Sequence, residues 1–310
     1  MTNAFFQDKV AVVTGAGGTL CSAIAKHLAN LGCKVVLVGR TREKLETVAD
    51  EIAGFAPGAP APGRANLREK PLVAPCDVTD EAAIEALAAR VLAELGPCRF
   101  LVNGAGGNNP AAMPTRLRFC EEDLKGCGAS GSDGRATGSD GRAVPGQKGF
   151  FDIDMAAFRS VLEINTLGTV IPSRVFGLQM ARAGGGAILN FASMNTYRPL
   201  TRVAPYAMSK AAIANWTQFF AQYMAPAHVR VNAVAPGFMV NERSRKYLCT
   251  PDGGLSARGE QVMAHTPMGR FGEADDLLGC VEWLLDDTRA AFVTGITVPV
   301  DGGFLSSAGV

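Results

Sequence analysis

The sequence predicts an α/β chain: one doubly wound parallel sheet of about seven strands, with helices on both faces. Two observations carry this. Short, continuously apolar runs recur along the chain, as in parallel strands buried on both faces. They alternate with segments of helical periodicity, and strands that alternate with helices are joined by right-handed crossovers that cover both sides of the sheet.

The first run is Val10-Ala11-Val12-Val13, followed by a Gly-rich turn and a helical pattern from about Leu20 to Leu31. Cys33 to Val38 is a second buried strand, and Arg42 to Ile52 reads as a helix. Leu72 to Cys76 is a shorter strand. Asp80 has the side chain to cap a helix that runs to about Leu95. Phe100 to Asn103, Ala187 to Phe191, Val229 to Val234 and Thr297 to Val300 complete the set. Two segments interrupt the alternation. Residues 54–71 are rich in Pro, Ala and Gly and read as a loop. Residues 126–149 are nearly all Gly, Ser, Asp, Arg and Ala, with Gly-Ser-Asp-Gly-Arg-Ala at 131–136 and again at 138–143, and read as a surface insert. No second domain or solenoid repeat is visible, so residues 1–310 are expected to form one domain.

Of the 310 residues 47% are hydrophobic and 19% charged, enough apolar content for a sizeable core. The formal net charge is +1 with both signs interspersed, which argues against nucleic acid or an anionic membrane as partner. No apolar run approaches the ~18 residues of a membrane span, and Met1 to Lys9 lack the plan of a signal peptide. Eight cysteines without a C-x-x-C pair read as reduced thiols of a cytoplasmic protein. His27, His228 and His265 show no metal spacing, and no metal is expected.

Thr14-Gly15-Ala16-Gly17-Gly18-Thr19-Leu20-Cys21 joins the first strand to the first helix. Glycine in such a turn lets backbone approach a pyrophosphate, and the helix N-terminus beyond it attracts the negative charge. Gly15, Gly17, Gly18, Thr19 and Leu20 are therefore cofactor-binding candidates. The second strand ends at Arg40 with no acid at 38–40. An acid there suits the ribose 2′-hydroxyl of NAD, whereas Arg suits a 2′-phosphate, so Arg40 favours NADP(H), with NAD(H) as the alternative.

Tyr206-Ala207-Met208-Ser209-Lys210 places a phenol and an ammonium on one helix face, and Ser193 lies thirteen residues before the tyrosine. A nearby ammonium is expected to lower a phenol's pKa. A phenol so tuned can pass a proton to or from an alcohol or carbonyl oxygen that Ser193 also holds. Alone, Tyr-x-x-x-Lys is a weak signal and reads first as a surface pair at helical spacing.

Taken with its neighbours it is more. The Thr14–Cys21 turn, Asp77-Val78, Asn103-Gly104-Ala105-Gly106, Asn165, Ser193, Tyr206 with Lys210, and Pro236-Gly237 occur in order and at family spacing. Over nearly its whole length the sequence resembles the short-chain dehydrogenase/reductases. That resemblance implies a Rossmann-type fold and a catalytic set of Asn165, Ser193, Tyr206 and Lys210. Asp77 and Val78 would border the adenine, and Asn103 to Gly106 would wall the cofactor cleft. Lys210 would also bind the nicotinamide ribose, and Asn165 would hold a water that links Lys210 to solvent. Pro236 and Gly237 would shape the nicotinamide pocket. Thr19 and Cys21 stand where the family carries Gly, which is expected to tighten the approach to the pyrophosphate. The segment from Val298 to Phe304 resembles one that packs against a neighbouring subunit, implying a homotetramer.

Further runs, Gly104 to Pro110, Ser193-Met194-Asn195 and Ala264 to Glu273, with Thr19-Leu20-Cys21, resemble one subgroup of that family, the D-mannonate oxidoreductases (fructuronate reductases). A sugar acid needs a cation for its carboxylate and polar groups for its hydroxyls. Asn109, Asn195, Arg198, Arg202, Arg243 and Arg245 are the substrate candidates, the last two in an expected substrate loop at about 238–268. The competing readings are the same chemistry on a gluconate-type acid or a 3-oxoacyl thioester, and a non-catalytic nucleotide-sensing regulator.

Overall fold

A computed structural model describes residues 4–54, 70–125 and 148–307, with the side chains at 122, 125, 242 and 243 left aside. The predicted loop at 54–71 and the insert at 126–149 fall almost entirely outside the described residues.

The apolar runs become seven strands: β1 (Val10–Thr14), β2 (Lys34–Gly39), β3 (Leu72–Pro75), β4 (Cys98–Asn103), β5 (Gly186–Phe191), β6 (Val229–Pro236) and β7 (Thr297–Val300). All pairings are parallel, in the order β3-β2-β1-β4-β5-β6-β7. Strand order therefore reverses between β1 and β4, and in such sheets the crevice outside the carboxyl ends at that point is the ligand site.

Side-chain alternation sorts the core into two layers. Ala11 and Val13 of β1 pack with α1 (Thr19–Asn30), α2 (Arg42–Gly54) and α8 (Leu278–Leu285) through Ile24, Leu28, Leu45, Ile52, Val281 and Leu284. Val10 and Val12 pack on the other face with α3 (Glu81–Glu94), α4 (Met155–Arg182) and α5 (Ala204–Met224) through Ile84, Val91, Phe176, Met180, Phe220 and Met224. Asp80 caps α3 as expected, its carboxylate accepting from the Ala83 amide at 3.0 Å. Asp154 caps α4 in the same way.

The segment expected as a substrate loop at about 238–268 is more ordered than a loop. It carries two short helices, α6 (Glu242–Leu248) and α7 (Ala257–Ala264), the second capped by Ser256. A last short helix, α9 (Asp287–Ala290), follows α8. It presents Asp287 to the buried Arg230 of β6 at 2.6 Å. Among the described residues no helix is long and apolar enough to cross a membrane.

Candidate active site

The first wall of the crevice is made by backbone. Thr14, buried at the end of β1, accepts on Oγ1 from the amides of Gly104 and Ala105, each at 3.1 Å, and donates to Val102 O. This clamp draws the turn after β4 onto the turn after β1. Gly15 has φ +68°, and a Cβ there would lie 2.8 Å from the Gly104 carbonyl and the Ala105 nitrogen, so only glycine fits. A Cβ on Gly17 would lie 2.9 Å from Lys44 Cβ. Gly18 precedes α1 without a side-chain cap, so the amides of Thr19, Leu20 and Cys21 open the helix unsatisfied by its own carbonyls. Open amides beside a cradle that side chains would fill suit a pyrophosphate.

The expected tightening by Cys21 does not occur. Its side chain turns into the core, where a Cβ on Gly104 would overlap its sulfur. Burial pushes this thiol's pKa up to about 12, which leaves it unreactive. Thr19 is exposed at the helix start and Leu20 half-buried.

Further along the rim, Asp77 accepts from the Thr79 amide at 2.9 Å and from Thr79 Oγ1 at 2.7 Å. These bonds first, and the Arg40 charge last, hold its carboxyl below the usual range. Val78 is buried under Gly168 of α4. Arg40 is exposed and, like Lys44, has no ion-pair partner among the described residues.

Asn103, a candidate to line the cleft, turns its side chain inward instead. Nδ2 donates to Ser173 Oγ at 2.8 Å and Asn190 Oδ1 at 2.9 Å, joining β4 to α4 and β5. Polar identity at a strand end does not say which way the side chain turns. Gly106 is packed against Asn165, and Ala105 is held by Thr14. Pro236 ends β6 beside Val300. Gly237 donates to Val300 O at 2.9 Å, and a Cβ there would lie 2.6 Å from Asp301 Cα.

The second wall is made by side chains. Ser193 follows β5 and opens the turn that packs against α5 through the Thr196 Oγ1 bond to Lys210 O at 2.9 Å, and Tyr206 stands near the start of α5. Tyr206 packs with Ala111, Ala112 and Phe158. Lys210, one turn on, is buried. Its Nζ donates to Phe191 O at 2.6 Å and stands 5.5 Å from the Tyr206 ring centre. The structure corrects the expected tuning of the phenol. Burial raises the pKa of Tyr206, and Ser193 opposes that rise. Burial lowers Lys210 itself to about 8. Asn165 is fully buried in α4. Its Nδ2 donates to Gly107 O at 2.7 Å and Val161 O at 2.8 Å, and its Oδ1 accepts from the Gly107 amide at 3.2 Å. It ties the long helix to the loop that also carries Gly106.

The substrate candidates separate into groups. Asn109 caps a short turn by accepting from the Ala111 amide. Asn195 is buried, its carboxamide bonded to Ser193 and Leu200. Arg198 donates to Ser307 O near the C-terminus. Arg245 is exposed on α6, and the side chain of Arg243 lies outside the described residues. Arg202, four residues before Tyr206, has φ +70° and donates to Thr115 O at 3.3 Å. Sequence reasoning missed Arg258 of α7, a half-buried guanidinium with no hydrogen-bond or ion-pair partner among the described residues. Burial first, and the charge of Arg202 second, lower its pKa. Nothing in the spacing of residues 202 and 258 announces that their charges act on one another. Among the described residues no three His, Cys, Asp or Glu side chains gather as a metal site requires.

Comparison with known proteins agrees with this architecture. A family model described as short chain dehydrogenase matches residues 9–126, and one described as Enoyl-(Acyl carrier protein) reductase matches residues 138–305. The chain is 39% identical to the uncharacterized oxidoreductase UxuB of Bacillus subtilis, over 97% of this chain and 96% of that protein. A solved structure from Haemophilus influenza, proposed as a D-mannonate oxidoreductase and holding NAD, superposes with a TM-score of 0.83 at 34% identity, covering 98% of this chain and 97% of that one. Another, from Beutenbergia cavernae, is proposed as an NAD(P) dependent gluconate 5-dehydrogenase and holds NADP. It superposes with a TM-score of 0.74 at 28% identity, covering 98% of this chain and 100% of that one.

Proposed function

This chain belongs to the short-chain dehydrogenase/reductase family, NAD(P)-dependent oxidoreductases acting on CH–OH groups, and from that premise we propose that it interconverts a keto-sugar acid and its alcohol, first of all D-fructuronate and D-mannonate. The observation that carries the acid substrate is Arg202 with Arg258. The half-buried Arg258 and Arg202, which lies four residues before Tyr206 in the sequence, repel each other, and neither has an ion-pair partner among the described residues. Such a pair is relieved by an anion, and the planar guanidinium matches a carboxylate. The likeness to a proposed D-mannonate oxidoreductase supports the choice of acid.

The dinucleotide would be held by the Gly15–Leu20 turn, Asp77, Val78, Ala105, Gly106, Pro236 and Gly237, with its nicotinamide ribose at Tyr206 and Lys210. We favour NADP(H), because Arg40 is unpaired and Lys44, whose Cβ packs on Gly17, adds a second unpaired cation beside the cradle. When bound, the nicotinamide supplies or accepts hydride. Tyr206 gives its proton to the carbonyl oxygen during reduction and takes it back during oxidation, and Ser193 donates a hydrogen bond to the same oxygen. Lys210 and Asn165 lie on the route by which that proton is replaced. A cytoplasmic homotetramer completes the reading. The described cysteines are free thiols, as a reducing compartment keeps them, and light scattering in solution would give the assembly.

The test is oxidation of NADPH and NADH with D-fructuronate, gluconate-type keto acids and a 3-oxoacyl thioester. Turnover of fructuronate is expected, faster with NADPH. Arg202→Ala and Arg258→Ala should each raise KM for the acid tenfold or more, the loss of one charge-assisted bond, while leaving kcat nearly unchanged. Turnover of the thioester alone, or an unchanged KM in both variants, would overturn the acid reading.

A further inference from the structure

We propose that Asn195 is a positioning residue that fixes the Ser193 hydroxyl as a donor toward Tyr206 and the substrate oxygen, a proposal that rests on Ser193 and Tyr206 being the proton-handling pair. The orientation of its carboxamide is settled by a neighbour. The Leu200 amide approaches Asn195 Oδ1 at 2.9 Å, and a backbone N–H can only donate. The opposite end of the carboxamide, Nδ2, therefore faces Ser193, and it donates to Ser193 Oγ at 3.2 Å. The Asn195 backbone amide donates to the same oxygen, also at 3.2 Å. A hydroxyl has two acceptor lone pairs and one proton. With both lone pairs engaged, the proton must point away from Asn195, and the titratable neighbour whose pKa Ser193 holds down is Tyr206. Ser193 and Asn195 are each 5% exposed, so bulk water does not compete for these positions.

The polarity matters chemically. A carbonyl or alkoxide oxygen needs donors. A serine free to rotate could present it a lone pair, whereas one held by two donors presents its proton and is polarised to give a stronger hydrogen bond. Asn195, a substrate candidate by sequence, thus acts through Ser193 rather than on the substrate.

Two variants test this. Asn195→Ala removes the side-chain donor. Asn195→Asp keeps the shape and the acceptor for Leu200 but offers Ser193 a carboxylate that draws its proton away, and it serves if the alanine variant is unstable. On any alcohol the enzyme oxidises, Asn195→Asp should lower kcat on the order of 100-fold, the size of losing one transition-state donor, with cofactor affinity unchanged and the acid limb of the pH profile, where Tyr206 is protonated, moved upward. Asn195→Ala should add no further loss to Ser193→Ala, because it works through that hydroxyl. Titration of the Tyr206 phenol by absorbance, taken as the difference from Tyr206→Phe, needs no substrate. Its midpoint should rise equally in Asn195→Ala and Ser193→Ala. Multiplying losses in the double variant, or an unmoved phenol midpoint, would overturn the proposal. Failure of the sugar-acid assignment alone would leave the phenol titration as it stands.

Discussion

At the ends of β1 and β4 the chain approaches itself where side chains are missing. Gly15 lies against Gly104 and Ala105, Gly17 against Lys44, and Gly104 over Cys21, with Thr14 clamping the two turns. At the end of β5 and the start of α5 the opposite holds: side chains hold one another. Asn195 bonds Ser193, Thr196 bonds the Lys210 carbonyl, Lys210 is tethered to Phe191, and Asn165 grips the Gly107 loop. The first wall suits a ligand met by backbone amides, whose geometry is set by what fits. The second suits a reaction, where each proton must point one way. The two walls should therefore fail differently when mutated.

The largest effect belongs to the second wall. Tyr206→Phe removes one oxygen from a packed ring and should lower kcat by about three orders of magnitude, the middle of the range for loss of a general acid–base. Cofactor affinity, measured by fluorescence quenching, should change by less than about threefold, because the first wall is untouched. A Phe variant that loses cofactor binding with kcat would erase the distinction between the walls.

Lys210 sharpens it. The second wall buries an ammonium whose pKa burial lowers from 10.5 to about 8. Below pH 8 both folded and unfolded chains hold that proton, and the fold carries a penalty of about 3 kcal/mol relative to a neutral side chain. Between about pH 8 and 10.5 the unfolded chain binds the proton more than the folded one does, so stability rises with pH until the penalty is gone. Lys210→Met should therefore be more stable at pH 7 by about 2 kcal/mol, allowing about 1 kcal/mol for the lost bond to Phe191, while losing activity. Urea denaturation across this range should show the advantage vanish by about pH 10.5. A Met variant less stable at pH 7 would mean that the ammonium is paired better than its surroundings indicate.

The same contrast decides what the sequence made legible. The seven strands, the capped α3 and the glycine turn are written in apolar runs, in one Asp and in missing side chains, signals that depend little on distant partners. Asn165 and Lys210 both stand against Gly106, and Lys210 lies beside the Tyr206 ring; the catalytic set itself comes from the family resemblance and is a proposal. Direction was not legible. Asn103, Asn109, Asn195 and Arg198 have the chemistry of ligand-binding groups, yet they bond to Ser173, Ala111, Ser193 and Ser307, and no residue type encodes that choice. The phenol's environment escapes the sequence for a related reason. Lys210 shares a helix face with Tyr206, but its Nζ is drawn to Phe191 O, and burial outweighs charge. Arg258 escapes it because only the fold of α7 brings it near Arg202.

The smallest effect tests whether the first wall is built by exclusion. A methyl at Gly104 would overlap the Cys21 sulfur and crowd Thr14 O at 3.2 Å. Gly104→Ala should cost about 1.5 kcal/mol, typical of an overpacked core. By shifting the Gly104 and Ala105 amides off Thr14 it should also weaken cofactor binding severalfold, with kcat at saturation kept. Cys21→Ala removes the obstructing atom while preserving the helix. Alone it should leave a small cavity and a modest loss. Combined with Gly104→Ala it should restore most of the stability, because the new methyl occupies the space the sulfur leaves, a coupling expected only between groups in contact. Thermal denaturation of the four proteins gives that coupling directly. If the double variant is no better than the sum of the singles, the turn is set by the backbone contact with Thr14 rather than by the sulfur, and Cys21 is a passive filler of the core. If it recovers, the cysteine at a position where the family carries glycine is matched by the glycine beneath it, and the two substitute for one another across the crevice floor.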